Sequence, residues 1–135
     1  MEYREFGTTG LEVSALCMGT MSFGNPADEQ TSKALYSRAR DTGINIFDCA
    51  DVYNAGEAER ILGRCIRDNR DEIILTSKVC NQTGPDRNDR GLSRRHIVRS
   101  VEASLRRLGT DRIDIYYAHL EHRAVRLESV LRAFD

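Results

Sequence analysis

The chain has 135 residues, enough for one ordinary domain with its own hydrophobic core. Its 20 Lys and Arg residues against 21 Asp and Glu residues leave a net charge of -1, and no basic cluster is interleaved with aromatics as nucleic-acid binding requires. No apolar run reaches the roughly 18 residues that span a bilayer, and the polar opening MEYREFGTTG is unlike a signal peptide. We therefore expect a cytoplasmic enzyme or binding domain without a nucleic-acid or membrane partner.

The first predicted element is a β-hairpin over about residues 2–14, in which EYREF and LEVSAL flank the turn-like GTTG. ALCMGTM then predicts a first buried strand. The following helix begins near Asp28 and ends at Gly43, which suits a left-handed cap. Its apolar face is predicted at Thr31, Ala34, Leu35 and Ala39.

A second strand, INIF, precedes the helix EAERILGRCIRD. One apolar stripe of that helix comprises Ala58, Ile61, Leu62, Cys65 and Ile66. The third strand, EIILTSKV, is apolar on consecutive residues, which is typical of a strand covered on both faces. We therefore expect parallel pairing in a buried sheet.

A polar loop leads to Ser93, the predicted N-cap of the next helix, which ends at Gly109. Its predicted core positions are Ile97, Val98, Val101, Leu105 and Leu108. IDIYYAHL is the fourth strand. The final segment, RLESVLRAFD, places apolar residues at helical spacing, at Leu127, Val130, Leu131 and Phe134. It ends without a cap, so we expect a chain that is cut within a helix.

Four βα units in series indicate an α/β fold, either an open doubly wound sheet or part of a (β/α)8 barrel of the TIM-barrel family. GTMSFGNP, after the first strand, lacks the GxGxxG spacing of a dinucleotide-binding loop, which disfavours the open sheet. A complete barrel takes about 250 residues. The expected fold is therefore the N-terminal half of a barrel over residues 1–135, with two unpaired strand edges.

Polar side chains stand where three predicted strands end, at Asp48, Lys78 and His119, and Tyr53 follows in the loop after the second strand. The carboxyl ends of parallel strands meet on one face, with neighbouring strands about 4.8 Å apart. Because a buried carboxylate without a partner is costly, we predict that Asp48 pairs directly with Lys78.

The choice of lysine is informative because only Lys33 and Lys78 are lysines among the 20 Lys and Arg residues. A buried ammonium responds to its surroundings more readily than a guanidinium, and an ammonium beside a phenol makes Tyr53 a better proton donor. A plainer interpretation also fits: the ion pair orders the strand ends, the tyrosine packs as an aromatic, and His119 belongs to the core. The combination of Asp48, Tyr53, Lys78 and His119 favours a catalytic site over this structural interpretation.

The four cysteines show no CxxC pairing, so reduced thiols are expected at Cys17, Cys49, Cys65 and Cys80. A metal site joining Cys49, Cys80 and His119 has no supporting ligand spacing, and no metal is predicted.

Four stretches resemble the aldo-keto reductases: YREFGTTGLEVSALCMGTMSFG, GINIFDCADVYNAGEAERILG, EIILTSKV and GTDRIDIYYAHL. The resemblance covers all 135 residues. It implies a (β/α)8 barrel closed at its base by the N-terminal hairpin, which reduces aldehydes and ketones with NADPH. It also implies a catalytic tetrad at Asp48, Tyr53, Lys78 and His119, with Tyr53 as the general acid. Lys78 and Asp48 would hold and tune Tyr53, and His119 would orient the carbonyl.

The same resemblance implies cofactor contacts at Gly19, Thr20, Met21 and Asp48, with Asp48 near the nicotinamide ribose. Its implied substrate-binding residues are Met21, Tyr53, Cys80 and His119. Family members hold most of the cofactor, including its phosphates, through later strands. We therefore expect this chain to contain the tetrad but not the later residues that hold most of the cofactor.

Two alternatives stay open at this point. One is a catalytically inactive half-barrel that acts as an assembly or binding module, associating through its open strand edges. The other is a lysine-based aldolase that uses Lys78 as a Schiff base. Asp48 together with Tyr53 suits a reductase better than an aldolase.

Overall fold

A computed structural model describes residues 1–135 and contains two separate sheets. The first is the predicted hairpin, in which β1 (Tyr3–Glu5) pairs antiparallel with β2 (Glu12–Ser14). The second has four strands: β3 (Met18–Gly19), β4 (Ile46–Asp48), β5 (Ile74–Val79) and β6 (Ile115–Ala118). These strands are parallel and lie side by side in chain order.

Helices connect the parallel strands. They are α1 (Glu29–Asp41), α2 (Glu57–Ile66) and α3 (Arg94–Leu108), and α4 (Leu127–Phe134) follows β6. Two short 3-10 turns span Tyr53–Gly56 and Arg70–Glu72. Each helix packs on the next one along the chain, so all four lie on one face of the sheet. Strands in sequential order with helices on a single face form part of a (β/α)8 barrel, whereas a doubly wound sheet has helices on both faces.

The predicted helix ends are confirmed. The Asp28 carboxylate accepts a hydrogen bond from the Thr31 amide at 2.8 Å, and the Ser93 hydroxyl accepts one from the His96 amide at 3.2 Å. Gly109 closes α3 in the left-handed conformation, with φ 65°. Side-chain caps therefore satisfy amide groups that the first turn of a helix leaves free.

The side chains of β5 alternate between the two faces of the sheet, as the period of a strand requires. Leu75 and Val79 enter hydrophobic clusters shared with the helices, and Ser77 bonds to Glu59 of α2. Thr76 and Lys78 therefore point to the opposite face. That face is the one on which the candidate site forms.

The predicted core face of α1 is wrong except at Ala39. Ser32, Tyr36 and Ala39 are buried, whereas the predicted positions Thr31, Ala34 and Leu35 are exposed. The Tyr36 ring packs on Phe47 with centroids 4.7 Å apart, and its hydroxyl donates to the Asn69 side chain at 2.8 Å. Tyr36 therefore sets the rotation of the helix and turns two smaller apolar residues toward solvent.

The predicted core face of α3 is confirmed only at Ile97 and Leu108. Val98 is exposed, and Val101 and Leu105 are half-buried. Small polar residues take the other buried places, at Ser100 and Ser104. They let α3 approach its neighbours closely, which the apolar pattern alone did not reveal.

The two outer strands of the parallel sheet are exposed, which corrects the prediction of a buried first strand. Only Met18 and Gly19 of ALCMGTM are in β3, with Leu16 and Met21 being 62% and 67% exposed. Strand β6 forms the other edge and leaves Tyr117 and Leu120 exposed. The two open edges expected from the sequence are therefore present, and each carries apolar side chains.

All four cysteines are free thiols. The structure brings no three His, Cys, Asp or Glu side chains into an arrangement that could hold a metal ion. None of the helices combines the length and the apolar character needed to cross a membrane.

Candidate active site

Asp48 ends β4 and lies opposite Thr76 of β5, so its carboxylate faces two neighbouring side chains of that strand. The Lys78 Nζ atom lies 2.6 Å from Asp48 Oδ2, and the Thr76 hydroxyl donates to Asp48 Oδ1 at 2.6 Å. The predicted Asp48–Lys78 pair is therefore confirmed. Thr76 is an additional partner that sequence reasoning missed, although it precedes Lys78 by two residues on the same strand face.

Lys78 uses all three protons of its ammonium group. Besides Asp48, it donates to the Cys49 carbonyl at 2.8 Å and to the Tyr53 hydroxyl at 3.1 Å. Burial acts to lower the pKa of Lys78, but the hydrogen bonds to Asp48 and Tyr53 outweigh it and raise the pKa above its ordinary value. The group is therefore a fixed positive charge beside the phenol.

Tyr53 accepts the bond from Lys78, because an ammonium has no acceptor to offer in return. The phenol therefore keeps its own proton free for another partner. Its ring meets the His119 ring edge to face, with centroids 5.9 Å apart and an angle of 84° between the planes. The structure thus brings together the tetrad cluster, which we define as Asp48, Tyr53, Lys78 and His119.

His119 follows β6, and its Nδ1 atom lies 3.1 Å from Nδ2 of Asn81. Because an amide nitrogen donates and does not accept, Nδ1 is the acceptor and the proton of the neutral ring belongs to Nε2. Burial, and then the charge of Lys78, lower the pKa of His119. A neutral imidazole with a free Nε2–H results. Asn81 is a second residue that the sequence did not reveal, because its role depends on a side chain 38 residues away.

The predicted cofactor residues lie at the end of β3, beside Asp48. The Thr20 amide and hydroxyl both donate to the Asp48 carbonyl at 2.9 Å, so both of these donors are already used within the protein. No atom lies within 4 Å of the position a Cβ would take on Gly19, and Met21 is exposed. Cys80, the other predicted pocket residue, is buried directly after β5 in the hydrophobic cluster that packs against α3 and α4, so the structure does not place it beside this open space. The open space therefore lies on the Gly19 and Met21 side.

A second buried polar cluster lies on the helix side of the sheet. Glu59 of α2 is 0% exposed and accepts bonds from Arg107 Nε and from the Ser77 hydroxyl, both at 2.6 Å. Neither carboxylate oxygen of the buried Asp51 has a hydrogen-bond partner. Burial, and then the charge of Glu59, raise the pKa of Asp51 to about 7. Asp51 is therefore a buried carboxylate without a hydrogen-bond partner, and it is not part of the tetrad cluster.

Comparison with known proteins gives a consistent result. A model described as the aldo/keto reductase family matches residues 15–135. A probable voltage-gated potassium channel subunit beta from Arabidopsis thaliana is 40% identical over 139 residues, covering 100% of this chain and 42% of that protein. An uncharacterized oxidoreductase, YrpG, from Bacillus subtilis is 40% identical over 147 residues, covering 100% of this chain and 45% of that protein.

Solved structures agree. The aldo-keto reductase AKR11C1 from Bacillus halodurans, in its holo form, superimposes with a TM-score of 0.90 at 35% identity, covering 99% of this chain and 45% of that one. A thermostable aldo-keto reductase, Tm1743, in complex with the inhibitor epalrestat, gives a TM-score of 0.85 at 32% identity, covering 99% and 48%. The chain spans less than half the length of the curated relatives it matches. It belongs to the aldo/keto reductase family, and its fold is the N-terminal portion of that family's (β/α)8 barrel.

Proposed function

We propose that residues 1–135 are the N-terminal half of an NADPH-dependent aldo-keto reductase and supply the groups that protonate the carbonyl oxygen of an aldehyde or ketone. One observation carries this proposal: the Tyr53 hydroxyl lies 3.1 Å from the ammonium of Lys78, which is itself bound to Asp48 at 2.6 Å. A structural ion pair alone would not require a phenol as the third member. The cytoplasmic location stays a prediction.

Tyr53 acts as the general acid in this proposal. A carbonyl oxygen gains negative charge as its carbon is reduced, and the free phenol proton neutralises that charge. The phenolate that remains lies beside the Lys78 ammonium, which stabilises it. Asp48 and the Cys49 carbonyl hold Lys78 in place, so the positive charge does not have to reorganise during the reaction.

His119 orients the substrate in this proposal. Its Nδ1 atom is engaged by Asn81, which leaves the Nε2–H free to donate to the same carbonyl oxygen. A neutral ring suits this role, because an imidazolium would add a second positive charge next to Lys78. The lowered pKa of His119 therefore supports an orienting role.

The residues at the end of β3 fit the nicotinamide end of NADPH. The space beside Gly19, where a side chain would project, is empty. Met21 is exposed, and the Asp48 side chain keeps 26% of its surface accessible. These three residues would hold that end of the cofactor, and Thr20 would support them through its two hydrogen bonds to the Asp48 carbonyl. Met21 and His119 would shape the pocket for the carbonyl compound. NADPH, when bound, supplies the hydride that the carbonyl carbon receives.

The aldolase alternative loses support from the geometry of Lys78. A Schiff base requires a neutral amine, but the pKa of Lys78 is raised and all three of its protons are engaged. An assembly module is a second candidate function, because both sheet edges expose apolar side chains. The likeness to probable potassium channel beta subunits is compatible with such a role.

The test joins residues 1–135 to the remaining part of the Bacillus halodurans reductase and follows NADPH-dependent reduction of a panel of aldehydes and ketones. Tyr53→Phe should lower kcat by at least about a hundredfold, with NADPH affinity nearly unchanged, because the hydroxyl acts on the developing alkoxide. Tyr116→Phe is the matched control, since its hydroxyl is buried without a partner. Turnover of Tyr53→Phe within tenfold of the parent would show that the proton donor is misassigned.

A further inference from the structure

Asn54 follows the proposed proton donor, and its side chain reaches across to the loop after β3. Its Nδ2 atom lies 2.9 Å from the Met21 carbonyl, 2.7 Å from the Phe23 carbonyl and 3.3 Å from the Asn25 carbonyl. All three neighbours are acceptors, so the amide must present its NH2 group to them. Two protons serve the two shorter bonds, and the longer contact shares one of them.

The backbone at Asn54 holds this side chain in a fixed direction. Asn54 and Ala55 have φ values of 49° and 55°, and Gly56 follows with φ 84°. Asparagine accepts the left-handed conformation more readily than most residues with a side chain. These three residues turn the chain from Tyr53 into α2, so the Asn54 amide and the Tyr53 ring belong to one compact turn.

The loop that Asn54 holds is also attached at its other end. Thr20 bonds to the Asp48 carbonyl through both its amide and its hydroxyl. Phe23 is fully buried in the core. Met21 lies between these two attachments, two residues after Gly19, and its side chain is exposed.

We propose that Asn54 is a positioning residue that fixes the spacing between Tyr53 and Met21, the two sides of the pocket in which the carbonyl compound would bind. This inference rests on the proposed function, because it concerns the same pocket. Asn54 contacts no reacting atom in this scheme. It acts by fastening the turn that carries Tyr53 to the loop that carries Met21.

Two glycine variants distinguish the effect of losing the Asn54 side-chain amide from the effect of a more flexible backbone. Asn54→Gly keeps the left-handed conformation and removes the three contacts. Ala55→Gly is the matched control, because Ala55 has nearly the same φ, is exposed, and makes no side-chain hydrogen bond. Asn54→Asp keeps the shape of the side chain but directs an acceptor at three carbonyl oxygens, so its effect should exceed that of Asn54→Gly.

The measurement is NMR on the 135-residue chain, without cofactor or turnover, at a concentration at which the chain is monomeric. In Asn54→Gly we expect the amide protons of Phe23 and Gly24 to exchange about tenfold faster or more, because two hydrogen bonds to their loop are lost. The ring carbon signals of Tyr53 should shift in the same variant. Ala55→Gly should leave both observables unchanged. Equal behaviour of the two glycine variants, or unchanged signals in Asn54→Gly, would overturn the proposal.

The parent chain provides a check that does not depend on a variant's folding. The two Nδ2 protons of Asn54 should exchange with solvent at least about tenfold more slowly than those of a free asparagine amide. Exchange at the free rate would also overturn the proposal. These results are independent of Tyr53→Phe turnover, so an error in the proton donor and an error in the role of Asn54 can be told apart.

Discussion

Asp48 and Asp51 are only three residues apart, but their carboxylates differ in their hydrogen-bond partners. Asp48 has both oxygens bonded, to Thr76 and Lys78, whereas Asp51 is buried with neither oxygen partnered. Both acids occur within one short stretch of sequence, and pattern alone does not separate them. Their places in the fold do, because Asp48 lies in β4 and shares its face of the sheet with Thr76 and Lys78, whereas Asp51 lies in the turn after that strand.

Asp51 should make the stability of the chain depend on pH. Its pKa is about 7 in the folded chain against an ordinary value of 3.8, so the folded state holds a proton that the unfolded state releases. Stability should therefore fall as pH rises from about 4 to about 7, with a slope approaching 1.4 kcal/mol per pH unit. Below about pH 4 both states are protonated and the dependence on this group disappears.

Urea unfolding at a series of pH values measures this effect. Asp51→Asn should remove the slope and stabilise the chain at pH 8, because the asparagine side chain is neutral at every pH. Asp68→Asn, at an exposed position, is the matched control and should keep the slope of the parent. If Asp51→Asn and the parent lose stability in parallel between pH 4 and pH 7, Asp51 does not carry this proton.

At the scale of the elements, the close approach of α2 and α3 depends on Gly63. A Cβ atom there would lie 2.7 Å from the Leu108 carbonyl carbon, and closer to its oxygen. Glycine to alanine in a helix normally stabilises by about 1 kcal/mol. Here the added methyl group meets backbone that cannot rotate away, so the sign should reverse.

Gly63→Ala should therefore lower the free energy of unfolding by about 1 to 3 kcal/mol, as overpacking does. Ser37→Ala, exposed on α1, is the control and should change it by less than about 0.5 kcal/mol. Chemical denaturation followed by circular dichroism is sufficient for the comparison. A Gly63→Ala chain as stable as the parent would mean that the Leu108 backbone does not approach position 63 this closely.

The sequence predicts the order of strands and helices well, because turn residues and caps such as Asp28, Ser93 and Gly109 act locally. It predicts the Asp48–Lys78 pair because strand ends in parallel folds converge. It does not predict which face of α1 is buried, since Tyr36 decides that through Phe47 and Asn69. Nor does it predict Asn54, whose contacts join residues 29 to 33 positions apart.

At the scale of the whole molecule, both edges of the parallel sheet are open and lined by apolar side chains. Unpaired backbone groups beside exposed apolar residues favour association, so the isolated chain should form oligomers or aggregates as its concentration rises. Such contacts would cover the edges without rebuilding a site for the cofactor phosphates. In barrels of this class, phosphate sites come mainly from loops after the last strands.

We propose that residues 1–135 carry the proton-donating cluster and only the contacts to the nicotinamide end of the cofactor. A fluorescence titration of the purified, mass-verified chain with NADPH tests it most directly. We predict no saturation in the low micromolar range, where binding would be worth about -8 kcal/mol. A dissociation constant in that range or below would contradict this proposal, because it would mean that these residues hold the cofactor by themselves.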